Sequence, residues 1–126
     1  MSRRTLPLVT VALLVAAVAL VTPPAASAAS TFCSPTGDLC YGVVTKSPVR
    51  LRITTIAEFF KRYQLCVTGP GGARDCRSFR MRAAPGGTRR STVRWSQHFP
   101  NRGHGTYRVR YRQGGQPLGP AVTFRR

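Results

Sequence analysis

The feature that most constrains this chain is a two-residue alternation between arginine and large apolar residues. Segment 106–112 reads "TYRVRYR" and has an arginine at every second position, namely Arg108, Arg110 and Arg112. Each of these arginines directly follows a large apolar residue, namely Tyr107, Val109 and Tyr111 in turn. Because successive side chains of a strand point to opposite faces, the pattern predicts a β-strand with one buried and one solvent-facing side.

The same alternation recurs along the chain, while helical periodicity is nearly absent after the first 28 residues. Further strands are predicted over 49–53, 63–67, 78–82, 92–96 and 121–124. Clusters of glycine and proline separate them and are typical of turns. About seven short strands of this kind predict an all-β antiparallel sandwich or barrel. Segment 56–62, "IAEFFKR", fits either a helical turn or a bend before the next strand.

The amino-terminal segment has the three-part pattern of a secretory signal peptide. Arg3 and Arg4 precede an apolar run over 6–21, which is followed by prolines and small residues. Cleavage after Ala28 would leave one domain over 29–126. The apolar run is shorter than the roughly 20 residues needed to cross a bilayer, so no membrane span is expected. The sequence therefore predicts a secreted, extracellular protein.

Four cysteines in an exported domain suggest two disulfides, for which three pairings are possible. If Cys66 lies opposite Cys76 in a hairpin, Tyr63 faces Phe79, and both cysteines point to the outer face of the sheet. The same reasoning places Cys33 opposite Cys40 across a tight turn. The favoured pairing is therefore Cys33–Cys40 and Cys66–Cys76. Zinc is the less favoured alternative, because the chain has no Cys-x-x-Cys pair.

Segment 103–111, "GHGTYRVRY", resembles a strand entry of immunoglobulin-like domains. The resemblance implies an immunoglobulin-like β-sandwich in which Tyr107 is a tyrosine corner, its hydroxyl bonded to the backbone upstream. Val109 stands where true immunoglobulin domains have their second core cysteine. More narrowly, "CSPTGDLCYGV", "YQLCVTGP" and "VRWSQHFPNRGHGTYRV" are similar to a group of small exported proteins of high-GC Gram-positive bacteria. That group has no assigned activity, so the resemblance implies fold and location only.

The residues that could support catalysis are few and scattered. The acids are Asp38, Glu58 and Asp75, and the histidines are His98 and His104. Nothing in their spacing suggests a catalytic set or a metal site. The glycine-rich segments do not precede a helix, so they are interpreted as turns rather than phosphate-binding loops. We therefore expect no enzymatic activity, no cofactor, no metal and no small-molecule substrate.

The strongest functional signal is charge of one sign. The chain has 20 lysines and arginines against three acids, a formal net charge of +17, which losing Arg3 and Arg4 would reduce to +15. Guanidinium groups have planar donor forks that suit phosphate and carboxylate. The outward strand positions predict a polyanion-binding face comprising Arg50, Arg52, Arg80, Arg82, Arg94, Arg108, Arg110 and Arg112.

The expected partner of this face is a wall polymer, an anionic lipid surface or a nucleic acid. Two alternatives remain open at this point. The chain could be a cationic secreted effector or inhibitor, or a passive structural module with an arginine-biased surface, because charge runs are often only solvated faces. Protein partners are not predicted.

Overall fold

A computed structural model describes residues 30–126 and, before them, Ala19 alone. The predicted signal peptide and its cleavage point therefore lie outside the described residues, apart from Ala19. Residues 30–126 form two antiparallel sheets. The first has the order β1-β2-β3-β7-β6. Its strands are β1 (Thr31–Cys33), β2 (Leu39–Lys46), β3 (Val49–Thr55), β6 (Arg82–Ala83) and β7 (Arg89–Arg94).

The second sheet has the order β10-β8-β4-β5, with the short strand β9 also paired to β8. Its strands are β4 (Arg62–Thr68), β5 (Arg74–Arg80), β8 (Thr106–Gln113), β9 (Gln116–Pro117) and β10 (Val122–Arg125). A 3-10 turn spans Pro85–Gly87, and one helical turn, α1, spans Trp95–His98. The expectation of an all-β, antiparallel, two-sheet fold is confirmed. No helix among the described residues is long and apolar enough to cross a membrane.

The core consists of the inward side chains of both sheets, as the alternation predicts. On β8, Tyr107, Val109 and Tyr111 are completely buried, whereas the arginines between them reach solvent. Tyr107 stacks on Phe124 of β10 with ring centroids 5.0 Å apart, and Trp95 meets Tyr107 edge-on at 5.1 Å. Burying such aromatic rings supplies much of the hydrophobic stabilisation of a small domain.

Both predicted disulfides are confirmed. Cys33 is bonded to Cys40, and Cys66 to Cys76. The hairpin of β4 and β5 has the register that this pairing requires, with Tyr63 opposite Phe79. Closing loops of this size stabilises the folded chain by about 2.5 kcal/mol each in the chain-entropy description.

Two strand predictions were wrong in their boundaries. Segment 78–82 is not one strand, since β5 ends at Arg80 and Arg82 begins β6 in the other sheet. Segment 92–96 also ends early, because β7 stops at Arg94 and Trp95 starts the helical turn. Trp95 is nevertheless buried, so the alternation identified its side-chain direction correctly but not its backbone. Segment 56–61 is a bend that leads into β4.

Tyr107 makes the hydrogen bonds expected of a tyrosine corner. Its hydroxyl donates to the carbonyl oxygen of Gly103 at 2.7 Å and accepts from the backbone N–H of Arg102 at 2.8 Å. The hydroxyl thus ties the preceding loop to the start of β8. The narrower resemblance to immunoglobulin-like domains stays a prediction.

Candidate polyanion-binding surface

The eight arginines of the predicted face lie on the outer surfaces of two different sheets. The first sheet has Arg50, Arg52, Arg82 and Arg94. The second sheet has Arg80, Arg108, Arg110 and Arg112. Because the two sheets pack through their inner faces, most members of the two sets point away from each other. Arg80 and Arg82 are the exception, since they lie two residues apart where the chain passes from one sheet to the other. The predicted residues thus form two cationic surfaces that approach each other only at this crossover.

On the first sheet the arginines are spread over the strands. Arg50 of β3 lies opposite Arg94 of β7, and Arg82 of β6 lies opposite Arg90 of β7. Arg52 donates from Nε to the hydroxyl of Thr92 at 3.2 Å, so its side chain extends across to the neighbouring strand β7. This surface is positive, and Arg52 lines a cavity of about 180 Å³ whose other lining residues are uncharged.

On the second sheet, three of the predicted arginines, Arg108, Arg110 and Arg112, line one depression together. The middle strand, β4, has the short outward side chains of Cys66 and Thr68, while β8 contributes long arginine side chains on one side and β5 contributes Arg74 on the other. Arg108 and Arg74 flank Thr68 from the two sides, and Arg110 lies opposite Cys66. A cavity of about 260 Å³ results. We call it the β8 groove, lined by Cys66, Thr68, Arg74, Arg108, Arg110 and Arg112.

The groove continues past Arg112 into a second depression of about 270 Å³. Arg112 donates from its guanidinium to the carbonyl oxygen of Gly115 in the turn between β8 and β9. That turn needs glycine, because Gly114 and Gly115 have φ of 58° and 80°, in the left-handed region. The second depression is lined by Arg62, Tyr63, Gln64, Ser78, Arg112, Gln113, Gly114 and Gly115.

Carboxylates do not neutralise the groove. In the stretch 30–126, two ion pairs form: Glu58 with Arg89 at 2.6 Å, and Asp75 with Arg102 at 3.1 Å. Asp75 follows Arg74 in sequence but has the opposite strand parity, so its side chain points away from the groove. The groove guanidiniums are therefore positive groups without a counter-charge among the described residues.

Arg74 belongs to the groove but was absent from the predicted face. The register set by Cys66 and Cys76 places Arg74 opposite Thr68, on the same outer surface as the disulfide. The hairpin register predicted from the two cysteines would therefore have been enough to assign Arg74 to this outer surface. By contrast, nothing local in the sequence indicates that β8 lies beside β4, which is what brings Arg74 and Arg108 to one depression.

The residues considered for catalysis do not meet at one place. The ring of His98 packs edge-on against Phe79 at 5.1 Å, and His104 is exposed. Among residues 30–126, no group of three or more histidines, cysteines or acids could hold a metal ion. Burial raises the pKa of the Tyr63 hydroxyl to about 12, but this hydroxyl is directed inward and donates to Ser91 at 2.8 Å. Its shifted pKa reflects packing in the core.

Comparison of the chain with family models, with curated proteins and with solved structures gives no match. The surface is therefore interpreted from its own geometry and charge.

Proposed function

We propose that this protein is an exported, non-enzymatic binding module that holds anionic polymers in the β8 groove. One observation carries the proposal. Four arginines from two strands surround the short side chains of β4, and among the described residues none of the four is paired with a carboxylate. Concentrating like charge destabilises a compact domain, so a depression lined this way is best understood as a place for a negative ligand.

The dimensions favour an extended ligand over a small one. Arg108, Arg110 and Arg112 follow each other at two-residue steps along β8, about 7 Å apart. Arg74 and Arg108 stand on either side of β4, about 9.5 Å apart at two inter-strand spacings. A polymer with regularly spaced phosphates, lying along β8, can meet several guanidiniums at once. Each fork can bind two oxygens of one phosphate.

The groove offers no platform for stacking nucleic-acid bases. Its lining residues include no aromatic side chain, and Tyr107 and Tyr111 of the same strand are completely buried. Proteins that bind single strands usually add aromatic stacking to their charge. Among the three expected partner classes, a phosphodiester polymer of the cell wall therefore fits better than a single-stranded nucleic acid.

The cysteines support the exported location. Both pairs are oxidised in the folded chain, and disulfides persist mainly in oxidising compartments outside the cytosol. The amino-terminal signal pattern points the same way. A module that works outside the cell would meet wall polymers and membrane surfaces, both of which present phosphate.

Retention on immobilised polyphosphate at several salt concentrations tests the proposal. We expect log affinity to fall linearly with log salt, because binding releases counterions from the polymer. Growth inhibition of bacteria, or inhibition of a secreted enzyme, at micromolar protein would instead favour the cationic effector. Absence of retention at about 0.15 M salt, where charges are screened beyond about 8 Å, would favour the passive module.

A further inference from the structure

The loop between β3 and β4, residues 56–61, exposes two large apolar side chains. Ile56 is 53% exposed and Phe59 is 55% exposed, more than any other large apolar residue that the structure describes. The remaining phenylalanines pack in or against the core. An aromatic and an aliphatic side chain presented together from one loop suggest a surface that contacts something apolar.

Hydrogen bonds give this loop a defined shape. The hydroxyl of Thr55 donates to the carbonyl oxygen of Ala57 at 2.7 Å, and the N–H of Phe59 donates to the same oxygen at 3.1 Å. The N–H of Ile56 donates to the carbonyl oxygen of Asp38 in the turn between β1 and β2. Glu58 is tied to Arg89 by their ion pair. These contacts thus hold the loop backbone from which Ile56 and Phe59 project.

Cationic side chains gather beside the same loop. A cavity of about 360 Å³ next to the loop is lined by Glu58, Lys61, Arg62, Arg80, Met81 and Arg89. We call its four basic residues the collar: Lys61, Arg62, Arg80 and Arg89. Glu58 contributes the single carboxylate of this lining and is already paired with Arg89. We call Ile56 and Phe59 the apolar tip. The loop therefore combines two exposed apolar side chains with an adjoining cluster of positive charge.

We infer that the 56–61 loop docks on an anionic lipid bilayer. Ile56 and Phe59 would enter the boundary between headgroups and acyl chains, while the collar contacts lipid phosphates. Peripheral proteins hold membranes by this combination of buried apolar area and electrostatic attraction to anionic lipid. The inference goes beyond the proposed function, since it names a second surface and one partner for it.

The charge of the collar argues against the main competing occupant, a second copy of the chain. Two loops meeting tip to tip would bring two sets of Lys61, Arg62 and Arg80 together, and like charges repel across such a contact. An anionic bilayer instead offers acyl chains to the apolar tip and lipid phosphates to the collar at the same time.

Tryptophan placed at the loop tip tests the inference directly. The native Trp95 is 2% exposed and provides a constant background, so Phe59→Trp adds one reporter at the proposed contact. With vesicles of equimolar phosphatidylglycerol and phosphatidylcholine, we expect its emission to shift to the blue and to be quenched by brominated acyl chains. Val44→Trp is the matched control, because Val44 is 39% exposed on β2, outside the loop and the collar. It should show neither effect.

A loss-of-function variant separates this inference from the proposed function. Ile56→Ser with Phe59→Ser should lower vesicle affinity about tenfold or more, the range expected when two apolar side chains are no longer buried. Its retention on polyphosphate should stay unchanged. Vesicle binding without a blue shift at position 59 would overturn the inference while leaving the β8 groove intact. A blue shift that appears with rising protein concentration, without vesicles, would show self-association and overturn it as well.

Discussion

Arg50 of β3 lies directly opposite Arg94 of β7, so two positive charges face each other across neighbouring strands. Two further arginine pairs have the same relationship, Arg62 with Arg80 and Arg82 with Arg90. Like charges in directly opposite positions destabilise a sheet. The core and the two disulfides therefore hold together a domain whose surface charge works against compactness.

Removing one charge from the Arg50–Arg94 pair should stabilise the protein. We expect Arg50→Thr to raise the free energy of unfolding by about 0.2–1 kcal/mol at low salt, the range of cross-strand pair effects. Threonine also suits an exposed strand position. Urea unfolding measures the change. Arg125→Thr is the control, because Arg125 is exposed and lies opposite Thr106 rather than another charge. Equal stabilisation by both variants would mean that only net charge matters.

The repulsion should also make stability depend on salt. The Debye length is about 10 Å at 0.1 M salt, so salt at this concentration screens only part of the repulsion between charges on neighbouring strands. We expect the melting temperature to rise with moderate NaCl and to rise further with sulfate or phosphate, which can bind between arginines. A melting temperature that falls or stays constant with added salt would contradict this expectation.

The tyrosine corner gives a prediction about a single hydroxyl group. Tyr107→Phe leaves the buried ring in place but removes the group that accepts from Arg102 and donates to Gly103. Two backbone polar groups then lose their partner, which costs about 1–3 kcal/mol of folding free energy. Urea unfolding measures it. A loss below about 0.5 kcal/mol would show that solvent takes over both bonds.

High pH should destabilise the fold through buried tyrosines. Burial raises the pKa of Tyr63 to about 12, and burial also raises the pKa of Tyr111 well above its usual value. The folded state thus keeps protons that the unfolded chain loses above about pH 10. The free energy of unfolding that these protonated tyrosines contribute is fully present below about pH 10 and is lost as the pH rises towards 12.

Urea unfolding at several pH values, combined with tyrosinate absorbance, measures this loss. Tyr63→Phe removes one of three tyrosines whose pKa is raised by burial, the others being Tyr41 and Tyr111, so its stability should fall less steeply over the same pH interval. It also leaves the Ser91 hydroxyl without its donor, which lowers stability by a pH-independent amount. Equal slopes for the variant and the original protein would exclude Tyr63 as a cause.

The sequence was sufficient to predict which side chains of a strand are buried and the register of the cysteine hairpins, although not every strand boundary. The alternation on β8 identified which residues of 106–112 are buried, and the cysteine register identified the partner of Tyr63 as Phe79. Both follow from strand geometry within a few residues. The change of sheet between Arg80 and Arg82 could not be found this way, because parity continues through the break at Met81.

Contacts between distant strands also had no local signal. The pairing of β4 with β8 joins residues that are between 40 and 48 positions apart, and it decides which arginines share a depression. The exposure of Phe59 could not be predicted either, since the sequence of a bend does not show whether an aromatic side chain points to the core or to solvent. The sequence thus predicted that arginines point outward, but their division between two surfaces required the structure.

Variants of the β8 groove distinguish a site from diffuse charge. We expect Arg74→Ser, Arg108→Ser and Arg110→Ser together to preserve the fold, because all three have the outward strand parity, with Arg74 and Arg108 exposed and Arg110 half-buried. Arg112 is kept, since it bonds to Gly115 and supports the adjoining turn. If each removed arginine meets one phosphate, the slope of log affinity against log salt should become shallower by about two to three units.

The control triple removes the same charge from the other sheet: Arg50→Ser, Arg90→Ser and Arg94→Ser. These three positions are exposed on β3 and β7, on the opposite side of the molecule from the groove. The control should keep most of the retention on polyphosphate, because a ligand in the β8 groove does not reach that surface. Equal weakening by both triples would mean that long-range attraction to the whole domain accounts for binding, and the groove would then have no specific role.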